Sequence, residues 1–433
     1  MYNAYRGREK EGKRAEHHGV RNPLWRHVPP VAMPVTRGDF AAGLAALSGP
    51  ERALETFAAA VMQWTETTGC RLVASGRAAL TSILLGLRKR SERSRVIVPA
   101  YGCPTIVQSV LYAGLTPIFC DVDPRTLDLD RRMLHSLLAE GAPVQDTLAV
   151  VTVHLYGLAH DVQPVLELAH ARGVFVIEDA AQAFGARVGG RMVGTWGDAG
   201  FYSLGRGKCL PVGRGGVIVA QGQCAEMLQD AKGAAPRWDV ASLARLFGYS
   251  IATHPRVWWL LVRTPLNPAD AGMDLDNLPP IVLGRLSAVG AGVGASMLGR
   301  FEEVRQVQRR HARQLTAAMT GFEGLAVPEV APDAEPVFLR LPIVLESEEL
   351  TVELFDALSA RGIGVSRSYR RSLPDLFAPA LATDKDEFPG AQRLSRCLLT
   401  LPTHAYVTEA DIARIKSTVQ DILAQRIGDT PCL

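Results

Sequence analysis

At 433 residues, 47% apolar and 21% charged, the chain has a globular profile that excludes a disordered or fibrous polymer, and it is long enough for two domains. A formal net charge of +3 is too balanced to argue for a nucleic-acid partner. Seven cysteines are scattered with no CxxC pair and no metal-like spacing to histidine, so no metal is expected and the thiols read as reduced, in a cytoplasmic compartment.

The first 35 residues are polar and basic (Arg6, Arg8, Lys10, Lys13, Arg14, His17, His18) and hold no apolar core of a secretory signal, so they read as a mobile or partner-draping arm. Short apolar runs then alternate with helical patterns. Strands are expected at Val96–Pro99, Thr116–Asp121, Leu148–Val153, Val174–Ile177 and Gly216–Ala220, with an intervening helix over Gln163–Arg172. This alternation predicts an α/β fold with a mostly parallel sheet flanked by helices, and a ligand cleft at the carboxyl ends of its strands. Asp121, His154 and Asp179 all follow strand ends and are expected to share that cleft.

Ala234–Pro280 carries Leu243–Phe247 and Val257–Val262, the latter between Arg256 and Arg263. It is far too short an apolar run to cross a bilayer. A helical lid on the large domain is preferred here over a peripheral membrane contact through 243–263. A long helix over Glu302–Thr320 closes the large domain (36–322). The strand Val337–Leu345, the helix Thr351–Arg361, a strand opening at Gly362–Val365 and the helix Thr408–Arg426 predict a smaller α/β domain over 323–433.

Two residues carry the chemistry. Asp179 ends an apolar strand, and Lys208 follows in the glycine-rich loop Gly200–Gly216. Lysine is the side chain that holds an aldehyde cofactor as a Schiff base, and an aspartate keeps a pyridine nitrogen protonated; together they point to pyridoxal 5'-phosphate (PLP). Once freed by substrate, Lys208 is the base that moves a proton between the donor's Cα and the cofactor. The alternative for Lys208 is a solvated surface lysine, and for Asp179 a helix N-cap. Ser75, Gly76, Arg77 and Ala78 open a helix whose first N–H groups suit a phosphate, although a plain serine cap explains that motif equally well. Ser203 would add a hydroxyl to the same phosphate.

Ser75–Leu80, Val96–Tyr101, Val153–Gly157, Ile177–Gln182, Ser203–Gly216 and Phe388–Arg393 with Leu399–Pro402 follow in an order that resembles the DegT/DnrJ/EryC1/StrS aminotransferases. The resemblance implies the fold-type-I PLP architecture and a homodimer. It implies that Gln182 reaches the ring's phenolic oxygen. Cys103 falls near a position that in the family often stacks an aromatic ring on the cofactor, a task open to Tyr101 instead. His154 reads as structural or pocket-lining. Arg77 stands where a small threonine is commoner in the family, and serves the phosphate or points outward.

Two departures stand out. The family's Asn-aromatic-Arg-Met-Ser element is matched by Leu283–Ser287, which keeps Arg285 and Ser287 but has Leu283 for the asparagine that contacts phosphate across the dimer. The family's Gly-Glu-Gly-Gly turn is Gly213-Arg214-Gly215-Gly216 here. Arg206 and Arg214 read as anion contacts for an acidic donor or phosphorylated acceptor, or as a solvated loop. The resulting expectation is an aminotransferase that moves an amino group from an amino acid, glutamate or glutamine, to a keto-sugar or similar ketone. The alternatives are other PLP chemistry on the same fold, such as a desulfurase, and a non-catalytic scaffold.

Overall fold

Seven strands form the central sheet of the computed structural model, which describes residues 25–139, 144–220, 240–264, 278–381 and 387–428. They are β1 (Cys70–Val73), β2 (Arg95–Pro99), β3 (Thr116–Cys120), β4 (Thr147–Val153), β5 (Phe175–Asp179), β6 (Ala199–Ser203) and β7 (Gly216–Ala220). Their order across the sheet is β1-β7-β6-β5-β4-β2-β3, and only β7 runs antiparallel to its neighbours. All seven residues of β4 are buried, as a strand covered on both faces requires. Alternation along the strands feeds two cores. Val96, Val98 and Val151 pack with Leu80, Leu84 and Ile106 of flanking helices, while Ile97, Val150 and Val176 turn to Val165 and Leu166 of the helix Gln163–His170.

The C-terminal part builds a second sheet from β8 (Leu325–Ala326), β9 (Leu341–Leu345) and β10 (Leu398–Leu401), covered by the helices Glu348–Ala360 and Glu409–Gly428. The helix Phe301–Met319 ties the two parts together. Phe301 at its start belongs to the core beneath β7, and Ala312, Leu315 and Met319 belong to the C-terminal core.

Several expectations change. Val337–Arg340 is not strand: Val337 N–H donates to Gly157 O (2.9 Å) and Phe338 takes a positive φ of 48°, so the segment crosses to the loop after β4 before β9 begins. Residues 25–35 are built into the fold rather than draped from it. Val28 is fully buried and exchanges backbone hydrogen bonds with Gly362 (2.9 Å) and Gly364 (2.7 Å), and the neutral His404 ring donates from Nε2 to Pro29 O (2.7 Å). Burial holds that imidazole down at about 4. The Gly362–Val365 segment therefore makes isolated bridges, to Val28 and through Ser366 to Thr400, instead of a full strand. Residues 1–24 of the expected arm, and 234–239 and 265–277 of the insertion, lie outside the described residues.

Asp121 also departs from the cleft. Its two carboxylate oxygens accept Gly390 N–H and Ala391 N–H (both 2.8 Å), at the start of the helix Pro389–Cys397. A negative charge at a helix N-terminus satisfies orphan donors and complements the dipole. It thus fastens a C-terminal helix to the end of β3. Asp121→Ala is expected to cost about 2 kcal/mol, read as a lower urea midpoint with an unchanged slope.

Candidate active site

A cavity of about 380 Å³ opens at the carboxyl ends of β4, β5 and β6. Asp179, Lys208, Gln182, Ser75, Gly76, Arg77, Cys103 and Ser203 all line it, so the structure gathers most of the sequence-selected residues at one place. Ala78 is the third residue of the helix that opens there and does not line the wall. Tyr101 is placed differently. It is buried behind the cavity, edge-on to Tyr369 at 5.6 Å with its hydroxyl 3.3 Å from that of Tyr156, and does not line the wall. Cys103 lines it instead, with its thiol 2.9 Å from the Thr105 hydroxyl.

Strand geometry decides what the two adjacent acids of β5 do. Asp179 faces the cavity, and Glu178 points the opposite way. Glu178 is fully buried and accepts the backbone N–H groups of Gly194 (2.7 Å), Trp196 (2.5 Å) and Gly197 (2.6 Å). His154 adds a fourth bond, donating from Nε2 to Glu178 (3.0 Å), because its Nδ1 accepts the His160 backbone N–H (3.3 Å). This fixes the tautomer and makes His154 a structural clamp. Nothing in the sequence singles out Glu178 beyond its place in the Ile177–Gln182 motif.

Asp179 accepts the Ala181 N–H (2.9 Å). Burial pushes its carboxyl above the ordinary range, against the pull of that bond and of Lys208. Burial likewise depresses the Lys208 ammonium, while Cys103 and Asp179 oppose the shift and Arg340 reinforces it. Among the described residues nothing accepts a hydrogen bond from Lys208 Nζ. A desolvated amine without a partner is suited to attack a carbonyl carbon. The loop that carries it turns through Gly207, Gly213 and Gly215 at positive φ.

Gln182 is held by Tyr156 N–H at Oε1 and by the Tyr369 hydroxyl at Nε2 (both 3.1 Å), which leaves one amide N–H for the cavity. Tyr369, Tyr156 and Arg340, whose guanidinium lies 5.2 Å over the Tyr156 ring, form a polar-aromatic backing that no local motif announced.

The opposite end suits an anion. Ser75 caps the helix Gly76–Arg88 through Ala78 N–H (3.1 Å), and this helix start is wedged against β6 and β7. A Cβ at Gly76 would lie 2.9 Å from Ser203 Cβ, and one at Gly216 would lie 2.6 Å from Ser75 O. Only glycine permits so close an approach. Arg77, Arg206 and Arg214 converge on this end, and among the described residues none pairs with a carboxylate. Arg77 donates to Pro279 O (3.0 Å); burial and the nearby Arg214 depress its guanidinium. An unpaired lysine and an acid at one end, with N–H groups, hydroxyls and guanidinium groups at the other, fit an aldehyde cofactor that bears a phosphate.

The two surviving members of the cross-dimer element are occupied locally. Arg285 pairs with Glu51 (2.7 Å), and Ser287 caps the helix Ala288–Leu298 through Gly290 N–H (3.0 Å). Leu283 borders a second cavity of about 170 Å³ next to Ser75 and Arg214.

The family model described as the DegT/DnrJ/EryC1/StrS aminotransferase family matches residues 43–420. GDP-perosamine synthase of Caulobacter vibrioides is 29% identical over 348 residues, 79% of this chain and 82% of that protein. L-glutamine:2-deoxy-scyllo-inosose aminotransferase of Streptoalloteichus tenebrarius is 27% identical over 431 residues, 93% of this chain and 94% of that protein. In structure, the sugar aminotransferase CalS13 of Micromonospora echinospora shares the fold with a TM-score of 0.72 and 23% identity, covering 91% of this chain and 99% of that one.

Two substitutions separate scaffold from chemistry. Glu178→Gln leaves buried donors facing an amide and is expected to lower stability by about 3 kcal/mol. Lys208→Met removes a half-buried amine that has no hydrogen-bond acceptor among the described residues and is expected to leave the cofactor-free protein as stable as wild type or more so. Parallel thermal melts check both.

Proposed function

The chain belongs to the DegT/DnrJ/EryC1/StrS aminotransferase family, and from that premise we propose that it moves an amino group from glutamate or glutamine to a keto-sugar or related cyclic ketone, with PLP held at Lys208. That it is an aminotransferase, with sugar aminotransferases among its relatives, follows from the family and curated matches. The donor and acceptor in this proposal are supported by the names of two relatives, one a perosamine synthase and one a glutamine-dependent inosose aminotransferase. The single observation that carries the reading is the Lys208 amine, depressed by desolvation and without a hydrogen-bond acceptor among the described residues, facing the same cavity as Asp179.

Bound PLP supplies an aldehyde carbon for the migrating amine and a protonated ring that withdraws electrons from the donor's Cα. Lys208 would hold the cofactor's aldehyde group and, once freed by the donor, would move the proton at the donor's Cα. Asp179 holds a proton on the ring nitrogen, and the carboxylate's burial strengthens the pairing. Gln182 turns its remaining N–H to the ring oxygen. Gly76 and Arg77 would offer backbone N–H groups and Ser75 and Ser203 hydroxyls to the phosphate, whereas the expected Ala78 N–H is taken by the Ser75 Oγ (3.1 Å); the Arg77 guanidinium would add positive charge from the same chain. Cys103 and Ala181 provide walls of the ring slot. Arg206 and Arg214 stand at the rim to receive an anionic group of donor or acceptor. The homodimer expected of the family is part of this proposal.

A desulfurase is disfavoured by Cys209, the cysteine beside Lys208. Its thiol is buried, donates to Gln182 O (3.3 Å) and is pushed up to about 12 by burial, the reverse of a reactive thiolate.

Protein given PLP is expected to gain a near-visible absorbance band that Lys208→Ala loses, and L-glutamate or L-glutamine should discharge that band. Asp179→Asn should retain PLP while slowing the discharge about 100-fold or more, measured by stopped-flow absorbance. Wild-type protein that takes up PLP without any band would defeat the assignment of Lys208.

A further inference from the structure

The two described helices of the insertion, Val240–Ala252 and Pro255–Leu261, pack inward as a lid would. Leu246 and Trp258 are buried, Leu243 reaches the Gly43 and Val293 contact, and Tyr249 lies beside Met33 and Gly207. Their outer face is the anomaly. Ala241, Ala244, Phe247, Gly248 and Ile251 follow helical three- and four-residue spacing, and all five are exposed, with Phe247 at 58% and Ile251 at 44%. A helix on a water-facing surface is expected to carry polar residues there. The second helix continues the pattern with Leu260 at 57%, and Trp259 stacks at 5.1 Å on Trp25, which is itself 70% exposed.

The charges carried by the two helices themselves have one sign. From Val240 to Pro268 the sequence holds no acidic residue, while Arg245, Arg256 and Arg263 are all exposed. Arg263 lies 3.8 Å over the Trp259 ring. Residues 1–24, which lead directly into Trp25, add six Lys or Arg against three Glu. A two-fold contact with a second copy would set arginine against arginine, because an isologous interface pairs a patch with itself. A partner that matches must present negative charge around an apolar interior.

The geometry points to the surface of an anionic lipid bilayer, with Phe247, Ile251, Leu260 and the Trp25–Trp259 pair entering the headgroup boundary and the arginines meeting lipid phosphates. Apolar and tryptophan side chains ringed by arginine suit that boundary, and juxtaposed basic residues strengthen it. Among the described residues no helix is long and apolar enough to cross the membrane, so the contact is peripheral.

Cosedimentation of the full chain with vesicles tests this, comparing phosphatidylcholine alone with a mixture of phosphatidylcholine and phosphatidylglycerol. Wild type is expected to bind the mixed vesicles at least tenfold more tightly than the neutral ones, with affinity falling as salt rises. Phe247→Glu with Ile251→Glu should abolish that binding while sedimentation velocity and the PLP absorbance band stay as in wild type. Wild type left in the supernatant at millimolar anionic lipid would overturn the proposal. So would a double variant that still binds, or one whose oligomeric state changes, which would assign the face to a protein interface.

Discussion

Everything at the site follows from placing an amine and a carboxyl in one desolvated cavity. Water would keep both charged; burial pushes Asp179 up and Lys208 down, while their mutual attraction resists each shift. Such a pair stays where it is only if its surroundings are stiffer than it is. That stiffness comes from β5 and from the Glu178 clamp behind it, where three backbone N–H groups and His154 converge on one carboxylate. The strand's alternation gives one acid the scaffold and its neighbour the chemistry. A one-residue slip of β5 would exchange the two roles.

The central sheet was legible because its parallel strands are near-continuous apolar runs separated by helical periods, and β7 falls on Gly216–Ala220 as the sequence suggests. The edge strand β1 and the strand β6 were not, since Cys70–Val73 and Ala199–Ser203 carry polar, glycine or serine residues that break the apolar signal. Lys208, Asp179, Gln182 and the Ser75 helix start were legible because each stands in a local motif. Asp121 looked the same locally, an acid after a strand, yet its partners at Gly390 and Ala391 lie about 270 residues away. Tyr369 and Arg340 escaped for that reason too: they come from the C-terminal part, and nothing in their neighbourhoods hints at Gln182 or Tyr156. Tyr101 shows the reverse error, a motif residue whose ring is drawn into the core by Tyr369 and Tyr156.

The C-terminal part belongs to the site as much as the sheet does. Tyr369 fixes the Gln182 amide, Val337 and Phe338 tie to Gly157 beside His154, and Asp121 anchors the helix Pro389–Cys397. The chain before the sheet closes the assembly from the other side, with Val28 between Gly362 and Gly364 and Arg26 on Asp411 (2.7 Å). A Cβ at Gly364 would lie 2.2 Å from Val28 O, so this seam admits no side chain at that position. Two sheets joined by so many specific contacts can hold a cavity wall to the tolerance that proton transfer demands.

The insertion shows how one helix pair can answer two constraints. Its inner side, through Leu246, Trp258 and Tyr249, is bound to the large domain, and Tyr249 abuts Gly207 one residue before Lys208. Burial pushes that phenol up to about 12, so it stays neutral and packs as an apolar ring. On its outer side Phe247 touches the body only through the edge of Phe40 (6.0 Å), and Ala241, Ala244, Gly248 and Ile251 are exposed and outside the buried core. A surface helix kept free of acid, with Phe247 and Ile251 in water, carries a solubility penalty that the fold does not require. The reason for that face therefore lies outside the chain, and the loop that bears Lys208 is one packed layer beneath it.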